Sequence, residues 1–481
     1  MQRSQLNRKD PFAGGFGHPF ADGAGRVIIV SNRLPMTASV RGDGVRLHRS
    51  CGGLASGLRG VQERSRGLWI GWSGVTVECP HIRRTIDEQL AEVGAVAVSF
   101  DECEIDGFYR RYANGVLWPV LHGFPARDEL GAWASYIHAN HRYADAVARH
   151  AKPGDRIWIH DYHLMLVPAL LRRRRPDVRI GFFLHTPFPP RETFTAVPHA
   201  PALLRGLLGA DVVGMHTREN SRNFVDTVRA VLGNEVRGDD ISVGNRVVSS
   251  FACPLGVDVD ALASIASSPS VIAEVRRLRD AEDGALFLGV DRLDYTKGIP
   301  MRLLAFERLL EMRPALRGQI RLRQVAVPSR EDVGGYPEIR AEVEGIAARI
   351  NAKFGRSNWT PVDYQYRSVD LETLVALYRS ADVMLVTPLR DGMNLVAKEF
   401  VASRVDDDGV LILSESAGAA AELRAALRVD PTDIAALAGT YESALTMLPA
   451  ERRVRMRRLR RAVQSNDVYR WAGLFVDALR R

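Results

Sequence analysis

From residue 26 onward, short uninterrupted apolar runs alternate with longer stretches of helical period. RVIIVSN (26–32), RIWIH (156–160), RIGFFLH (179–185) and DVVGMH (211–216) are of strand length and carry no polar alternation. Such strands are buried on both faces, as in a parallel sheet covered by helices. Between two of them, LMLVPALLRRRRP (164–176) reads as a helix whose last-turn cations suit its dipole and whose proline stops it. The second half repeats this grammar. ALFLGVD (285–291), RLRQVAV (321–327), DVMLVTP (382–388) and GVLILSE (409–415) read as strands. MRLLAFERLLEM (301–312) sets Leu303, Phe306 and Leu310 on one helix face. LETLVALYR (371–379) sets Leu371, Leu374, Val375 and Tyr378 at helical spacing. The chain is therefore α/β. A boundary falls near CPLGVDVD (253–260), where a strand runs into a Pro/Gly turn. Two Rossmann-like, doubly wound domains are expected, 25–255 and 256–464, facing a central cleft. Ligands of such sheets lie at the carboxyl ends of the strands.

Composition excludes several classes. At 481 residues the chain is too long for a single compact core. No run of about 18 apolar residues exists, so no spanning helix and no membrane association is expected. Residues 1–24 lack the apolar region of a signal peptide and read as a flexible Gly/Pro/polar leader. The cysteines at 51, 79, 103 and 253 make neither a CxxC nor a metal spacing, which fits a reducing cytoplasm. Net charge is +8, yet only five of the 65 basic residues are lysines: Lys9, Lys152, Lys297, Lys353 and Lys398. The excess is arginine spread along the chain. In RRVRMRRLRR (452–461) the arginines flank an apolar helix face, Met456, Leu459 and Val463, and read as its solvated side rather than a nucleic-acid surface.

Three constellations carry chemistry. Arg292 and Lys297 follow the strand ALFLGVD, where an Arg fork and a Lys point charge can hold phosphates. The same pair could be a surface feature neutralised by Asp291 and Asp294. In TPLRDGMNLVAKE (387–399) a strand end and an Asp391-Gly392 turn lead into a helix from Met393 to Glu399. Its N-terminus is an anion site, and Glu399 could accept two ribose hydroxyls. Asp391 as a cap and Glu399 paired with an arginine would explain the spacing equally well. In the first half, Arg33 follows VSN, CGGLASGLRG (51–60) is a Gly-rich turn, and IHDYHL and FFLH place Asp161, His163 and His185 at strand ends. Tyr109 and Trp118 of YRRYANGVLWP could stack on sugars or fill a core. Walker, HExxH and nucleophile-elbow patterns are absent, as is a DxD pair for a metal ion.

VSNRLP, GGLASGL, GLWIGWSG, VLWPVLH, WIHDYHLMLVPALL, GFFLHTPFP, GVDRLDYTKG and TPLRDGMNLVAKE occur in this order. Over roughly residues 26–480 the chain resembles the trehalose-6-phosphate synthases, retaining glycosyltransferases of the GT-B fold. The resemblance implies glucose transfer from a nucleotide-glucose to glucose 6-phosphate, giving α,α-trehalose 6-phosphate and a nucleoside diphosphate. UDP-glucose is the donor expected, with GDP-glucose the alternative. It implies Arg33, Tyr109, Trp118, Asp161 and Arg330 as acceptor contacts. Gly52, Gly53, His185, Arg292, Lys297, Asp391, Gly392, Met393, Asn394, Leu395, Val396, Ala397, Lys398 and Glu399 are the implied donor contacts. His185, Asp161, Arg292, Lys297 and Asp391 would serve catalysis, with no metal and no cofactor. A C-terminal helix, 465–481, is expected to pack back on the N-terminal domain, and a homodimer or homotetramer is expected. Arg110, Ala113 and Thr186 depart from residues common in the family. Alternatives on the same fold are a glycerol 3-phosphate acceptor, a cyclitol-coupling pseudo-glycosyltransferase and a non-catalytic regulatory subunit.

Overall fold

The computed structural model describes residues 26–480 apart from 42–43, 50–57, 59, 64, 78, 283 and 331. The leader, Gly52 and Gly53 lie outside the described residues.

Two sheets organise the chain. The first runs, in spatial order, Ala95–Ala97, Leu68–Trp72, Val27–Arg33, Arg156–His160, Arg179–Phe183, Val212–Met215, Arg246–Ala252, Asp240–Val243 and Val236–Arg237. Its first seven strands are parallel, and the last two pairings, of Asp240–Val243 with Arg246–Ala252 and of Val236–Arg237 with Asp240–Val243, are antiparallel. The chain starts in the middle at Val27–Arg33, builds outward to one side, then returns to build the other. The switch therefore lies between the ends of Val27–Arg33 and Arg156–His160, the crevice where ligands of such sheets bind. Alternate residues of each strand serve opposite cores. Ile28, Val30, Ile157, Ile159, Ile180 and Phe182 face one side; Val27, Ile29, Trp158 and Phe183 face the other.

The second sheet is wholly parallel: Val362–Tyr366, Ile320–Val327, Ala285–Arg292, Val383–Val386, Val410–Ser414 and Leu427–Val429. Its switch lies between the ends of Ala285–Arg292 and Val383–Val386. The short Leu68–Trp72 and the edge strands were not foreseen. Their runs are brief or interrupted by polar residues, so pairing with a neighbour rather than local pattern makes them strands. The expected helix over 164–176 is also shorter: a 3₁₀ turn, Tyr162–Leu164, precedes a helix over Val167–Arg174.

The chain crosses between the domains twice. Residues 253–257 carry it over, and 466–467 bring it back. The crossings touch: a Cβ on Gly256 would stand 2.2 Å from the Asn466 carbonyl oxygen, and Val468 N–H donates to the Val257 carbonyl at 3.2 Å. The final helix, Val468–Ala478, lies on the first sheet. Phe475 stacks on Trp158 at 4.4 Å, and a Cβ on Gly181 or Gly214 would collide with that Phe475 ring. Those two glycines create the flat floor on which the helix rests. Among the described residues no helix is long and apolar enough to cross a membrane.

Candidate active site

Both switch points open onto one cleft, and residues from both sides line it. On the N-terminal side, Arg33 ends its strand exposed, its guanidinium 4.8 Å from the Trp72 ring centre and 5.7 Å from that of Tyr109. Tyr109 is carried by a π-helix, Asp106–Leu117, an uncommon element that recurs at functional sites. Its ring stacks on His163 at 5.6 Å. Both ring nitrogens of His163 are buried without a hydrogen-bond partner among the described residues. Trp118 follows the π-helix and is 5% exposed.

Asp161 sits just past the strand Arg156–His160 at φ +74°, a left-handed conformation uncommon outside glycine. Its amide donates to the Phe183 carbonyl at 2.8 Å, and its carboxylate accepts the His185 N–H at 3.2 Å. Burial pushes its carboxyl up to about 6. His185 is held by His160 through a ring-to-ring hydrogen bond of 3.0 Å. Burial takes its pKa down to about 3, so the imidazole is neutral at physiological pH.

On the C-terminal side, Arg292 ends its strand, and Lys297 closes the 3₁₀ turn Tyr295–Lys297. Among the described residues, neither forms an ion pair with Asp291 or Asp294. Asp291 forms a buried pair with Arg302, and Asp294 pairs with Arg330 at 2.9 Å. Burial would raise Asp294, but the Arg330, Lys297 and Arg292 cations hold it down to about 2. Lys297 instead pairs with Asp391. Burial would raise the Asp391 carboxyl, but the adjacent ammonium holds it below its ordinary range. Arg292 makes no ion pair among the described residues, and its guanidinium stands 5.5 Å from the Trp118 ring centre.

The helix after Asp391 spans Leu395–Ser403 and is capped by Asn394, not Asp391. Asn394 adopts φ +69°, accepts the Ala397 N–H at 3.4 Å and donates to the Asp391 carboxylate at 3.0 Å. The first-turn amides of Leu395 and Val396 have no intrahelical acceptor, as at any helix start. Met393 and Gly392 are buried in the turn. Glu399 pairs with no arginine among the described residues; Tyr378 donates its hydroxyl to it at 3.0 Å, and burial raises its carboxyl. The expectation for Lys398 needs correction at its side chain. The ammonium turns away from the cleft into the interdomain crossing, where it donates to the Leu255 carbonyl at 2.8 Å and pairs with Glu422. Only its backbone belongs to the helix start, because its position in the first turn points the side chain inward.

The domains meet across the cleft. Arg330, at φ +51°, lays its guanidinium 3.8 Å from the Trp118 ring centre. It also donates to Tyr162 Oη at 3.2 Å and Tyr336 Oη at 2.8 Å. Phe124 meets Tyr295 edge to face at 5.3 Å. A cavity of about 230 Å³ is lined by Arg33, Tyr109 and Arg110 from one domain and by Ser329, Arg330 and Asp332 from the other. Arg110 is anchored there by Glu102 at 2.6 Å. Ala113 and Thr186 are buried, and the Thr186 hydroxyl has no partner among the described residues. Tyr162, Tyr336 and Asp294, which fix Arg330, were not foreseen. Neither was His122, whose Nδ1–H donates to the Trp118 carbonyl at 2.8 Å and whose pKa falls to about 4 through burial and then Lys297. Tyr162 and Asp294 meet Arg330 from segments 168 and 36 residues away, which leaves no local pattern.

Two Rossmann-like domains face a cleft with phosphate-grade cations and a helix start on one wall, and an arginine, aromatic groups and a buried carboxylate on the other. That arrangement defines a glycosyltransferase of the GT-B class. The chain belongs to glycosyltransferase family 20, whose model matches residues 25–481. It is 42% identical over 478 residues to the trehalose-6-phosphate synthase of Mycolicibacterium smegmatis, covering 96% of this chain and 94% of that one. It is 43% identical over 470 residues to the bifunctional trehalose-6-phosphate synthase/phosphatase of Thermoproteus tenax, covering 94% of this chain but only 63% of that longer protein. Among solved structures, the UDP-forming α,α-trehalose-phosphate synthase of Burkholderia xenovorans in complex with glucose-6-phosphate matches with a TM-score of 0.85. It is 34% identical, with 95% of this chain and 100% of that one covered. The E. coli structure bound with UDP-2-fluoro glucose matches with a TM-score of 0.85 at 36% identity, covering 95% and 99%.

Proposed function

We propose that this protein transfers glucose, with retention, from UDP-glucose to glucose 6-phosphate, releasing UDP and α,α-trehalose 6-phosphate. The observation that carries the reading is that Arg33 and Arg330 line one cavity from opposite domains. Two guanidinium forks are suited to a phosphate, and Tyr109 beside them to a sugar face. Asp161 then lies at the acceptor hydroxyl, and neutral His185 at the donor sugar. Arg292, Lys297 and the amides of the Leu395–Ser403 helix start would hold the diphosphate, with Glu399 on the ribose. These groups strengthen their hold as the leaving group gains charge, which is where electrostatic catalysis acts. The departing phosphate oxygen takes the acceptor hydroxyl's proton on the same face of the sugar, so the donor's configuration is kept without an enzyme nucleophile. The same cations support a reaction without a divalent metal.

The test is a panel of UDP-, GDP- and ADP-glucose with glucose 6-phosphate or glycerol 3-phosphate as acceptor, run with and without excess EDTA. Released nucleotide and product mass are read. UDP-glucose should give the highest kcat/KM, and EDTA should leave turnover intact. Preference for another base would overturn the donor assignment. Loss in EDTA restored by Mg²⁺ or Mn²⁺ would overturn the metal-free reading. Preference for glycerol 3-phosphate over glucose 6-phosphate would overturn the acceptor.

A further inference from the structure

Two hydrogen bonds run from the proposed donor helix, through the interdomain crossing, to His216, whose ring stands beside that of His185. The Lys398 ammonium, 0% exposed, donates to the Leu255 carbonyl at 2.8 Å and is balanced by Glu422. The N–H of the same residue, Leu255, donates to His216 Nδ1 at 3.4 Å. Nδ1 is therefore the bare nitrogen of that ring, Nε2 carries its proton, and the ring centre stands 5.5 Å from that of His185. Burial keeps His216 well below its ordinary pKa and hence neutral, as an accepting Nδ1 requires.

The ends of this path lie at two parts of the proposed donor site. Lys398 is next to Glu399 in the first turns of the Leu395–Ser403 helix. His216, just past the strand Val212–Met215 of the other domain, stands beside His185, whose carbonyl is the atom against which Gly392 packs. The midpoint, Leu255, is in the first crossing, beside Gly256, which is pressed on the returning crossing at Asn466 and Asp467. Rotation of one domain against the other about these crossings must move the Leu255 peptide relative to His216 or to Lys398. A buried ion pair is a poor way to gain stability alone, since apolar side chains of equal volume do as well. Directed bonds on both sides of one peptide do what apolar packing cannot: they define an angle.

We propose that His216 and Lys398 are positioning residues that pin the Leu255 peptide between the domains. Nucleotide binding at the helix start is thereby coupled to the domain angle at which Arg33 and Arg330 share one acceptor cavity. This rests on the substrate reading above, and the experiment separates the two. Affinities for UDP alone, for glucose 6-phosphate alone and for glucose 6-phosphate in saturating UDP are measured by calorimetry, without turnover. The proteins are the parent, the Lys398→Met/Glu422→Gln double variant, which leaves no orphan charge, and His216→Phe. In the parent, UDP should tighten glucose 6-phosphate at least about tenfold, within the usual range for coupled sites. Both variants should hold UDP within about threefold of the parent while the tightening falls below about threefold. Coupling unchanged in the variants overturns the proposal. So does loss of UDP affinity in the Lys398 variant, which would make the amine a nucleotide contact. A parent that binds both ligands without coupling overturns this proposal alone; a parent that binds neither overturns the substrate reading and this proposal with it. Should the double variant not fold, His216→Phe carries the test.

Discussion

Gly392 packs directly on the His185 carbonyl: a Cβ at residue 392 would stand 2.1 Å from that oxygen and 3.0 Å from its carbon. The turn carrying Asp391 and the strand end carrying His185 belong to different domains, and this contact sets their spacing. Gly392→Ala must push the turn away, because the obstacle is backbone and cannot swing aside. A displacement of about 1 Å at a reacting site costs on the order of 10²-fold. Steady-state kinetics should show that loss in kcat/KM. A variant with parental kcat/KM would mean that the turn's position is not critical.

Lys297 and Asp391 form a pair that is nearly buried, with 8% and 14% of their side chains exposed. Lys297→Ala should therefore fail in two ways. It removes a cation proposed for the diphosphate, for a loss on the order of 10²-fold or more in kcat/KM. It also strands the Asp391 carboxylate, which for buried pairs costs about 3–5 kcal/mol. Adding Asp391→Asn removes the stranded charge. Denaturant unfolding should then recover while activity does not. Recovery of both would make the pair structural only.

Arg33 and Arg330 should differ although they line one cavity. Arg33 is exposed, and its described contacts are with aromatic faces, so Arg33→Ala should leave unfolding nearly unchanged. Arg330 neutralises buried Asp294 and holds Tyr162 and Tyr336, so Arg330→Ala should lower the melting temperature as well. Toward glucose 6-phosphate each loss should amount to about 1.5–3 kcal/mol of a charged contact, roughly 10- to 150-fold. Free glucose should be a poor acceptor, and toward it Arg33→Ala should change little. Equal slowing of both acceptors by Arg33→Ala would remove that residue from the phosphate site.

Asp161 should dominate the acid side of the pH profile. Its folded pKa, raised to about 6 by burial, lies above its ordinary value of 3.8. Between these values the folded state binds more protons than the unfolded one, so this group's contribution to stability falls as pH rises through that window. The full penalty for burying its charge applies above it. Activity should run the opposite way. If the ionised carboxylate is the form that contacts the acceptor hydroxyl, kcat/KM rises through an apparent pKa of about 6. Asp161→Asn should lower activity, remove that limb and flatten the stability slope. A limb unchanged in Asp161→Asn would assign it to another group.

The class of fold was readable because strands buried on both faces need continuous apolar runs, and 26–32, 156–160, 285–291 and 382–388 are such runs. Site residues at strand ends were readable for the same reason. Arg33, Asp161 and Arg292 follow directly on three of those runs, and His185 closes the run 179–185, so each sheet delivers its own residues to its carboxyl edge whatever the loops do. Lys398 was not readable in this way. Its place in a helix start is local, but the direction of its side chain depends on Leu255 and Glu422, which lie 143 and 24 residues away. The pairing of Lys297 with Asp391 rather than a neighbouring aspartate, and the capture of Asp294 by Arg330, are of the same kind. Sequence periodicity determines which residues reach the carboxyl edge of each sheet, because alternation and burial act over a few residues. Which charge meets which, and how the two edges face each other, is decided only when the domains close on one another. In a buried cleft each charge must find a partner, and the nearest one in space is not the nearest one in the chain.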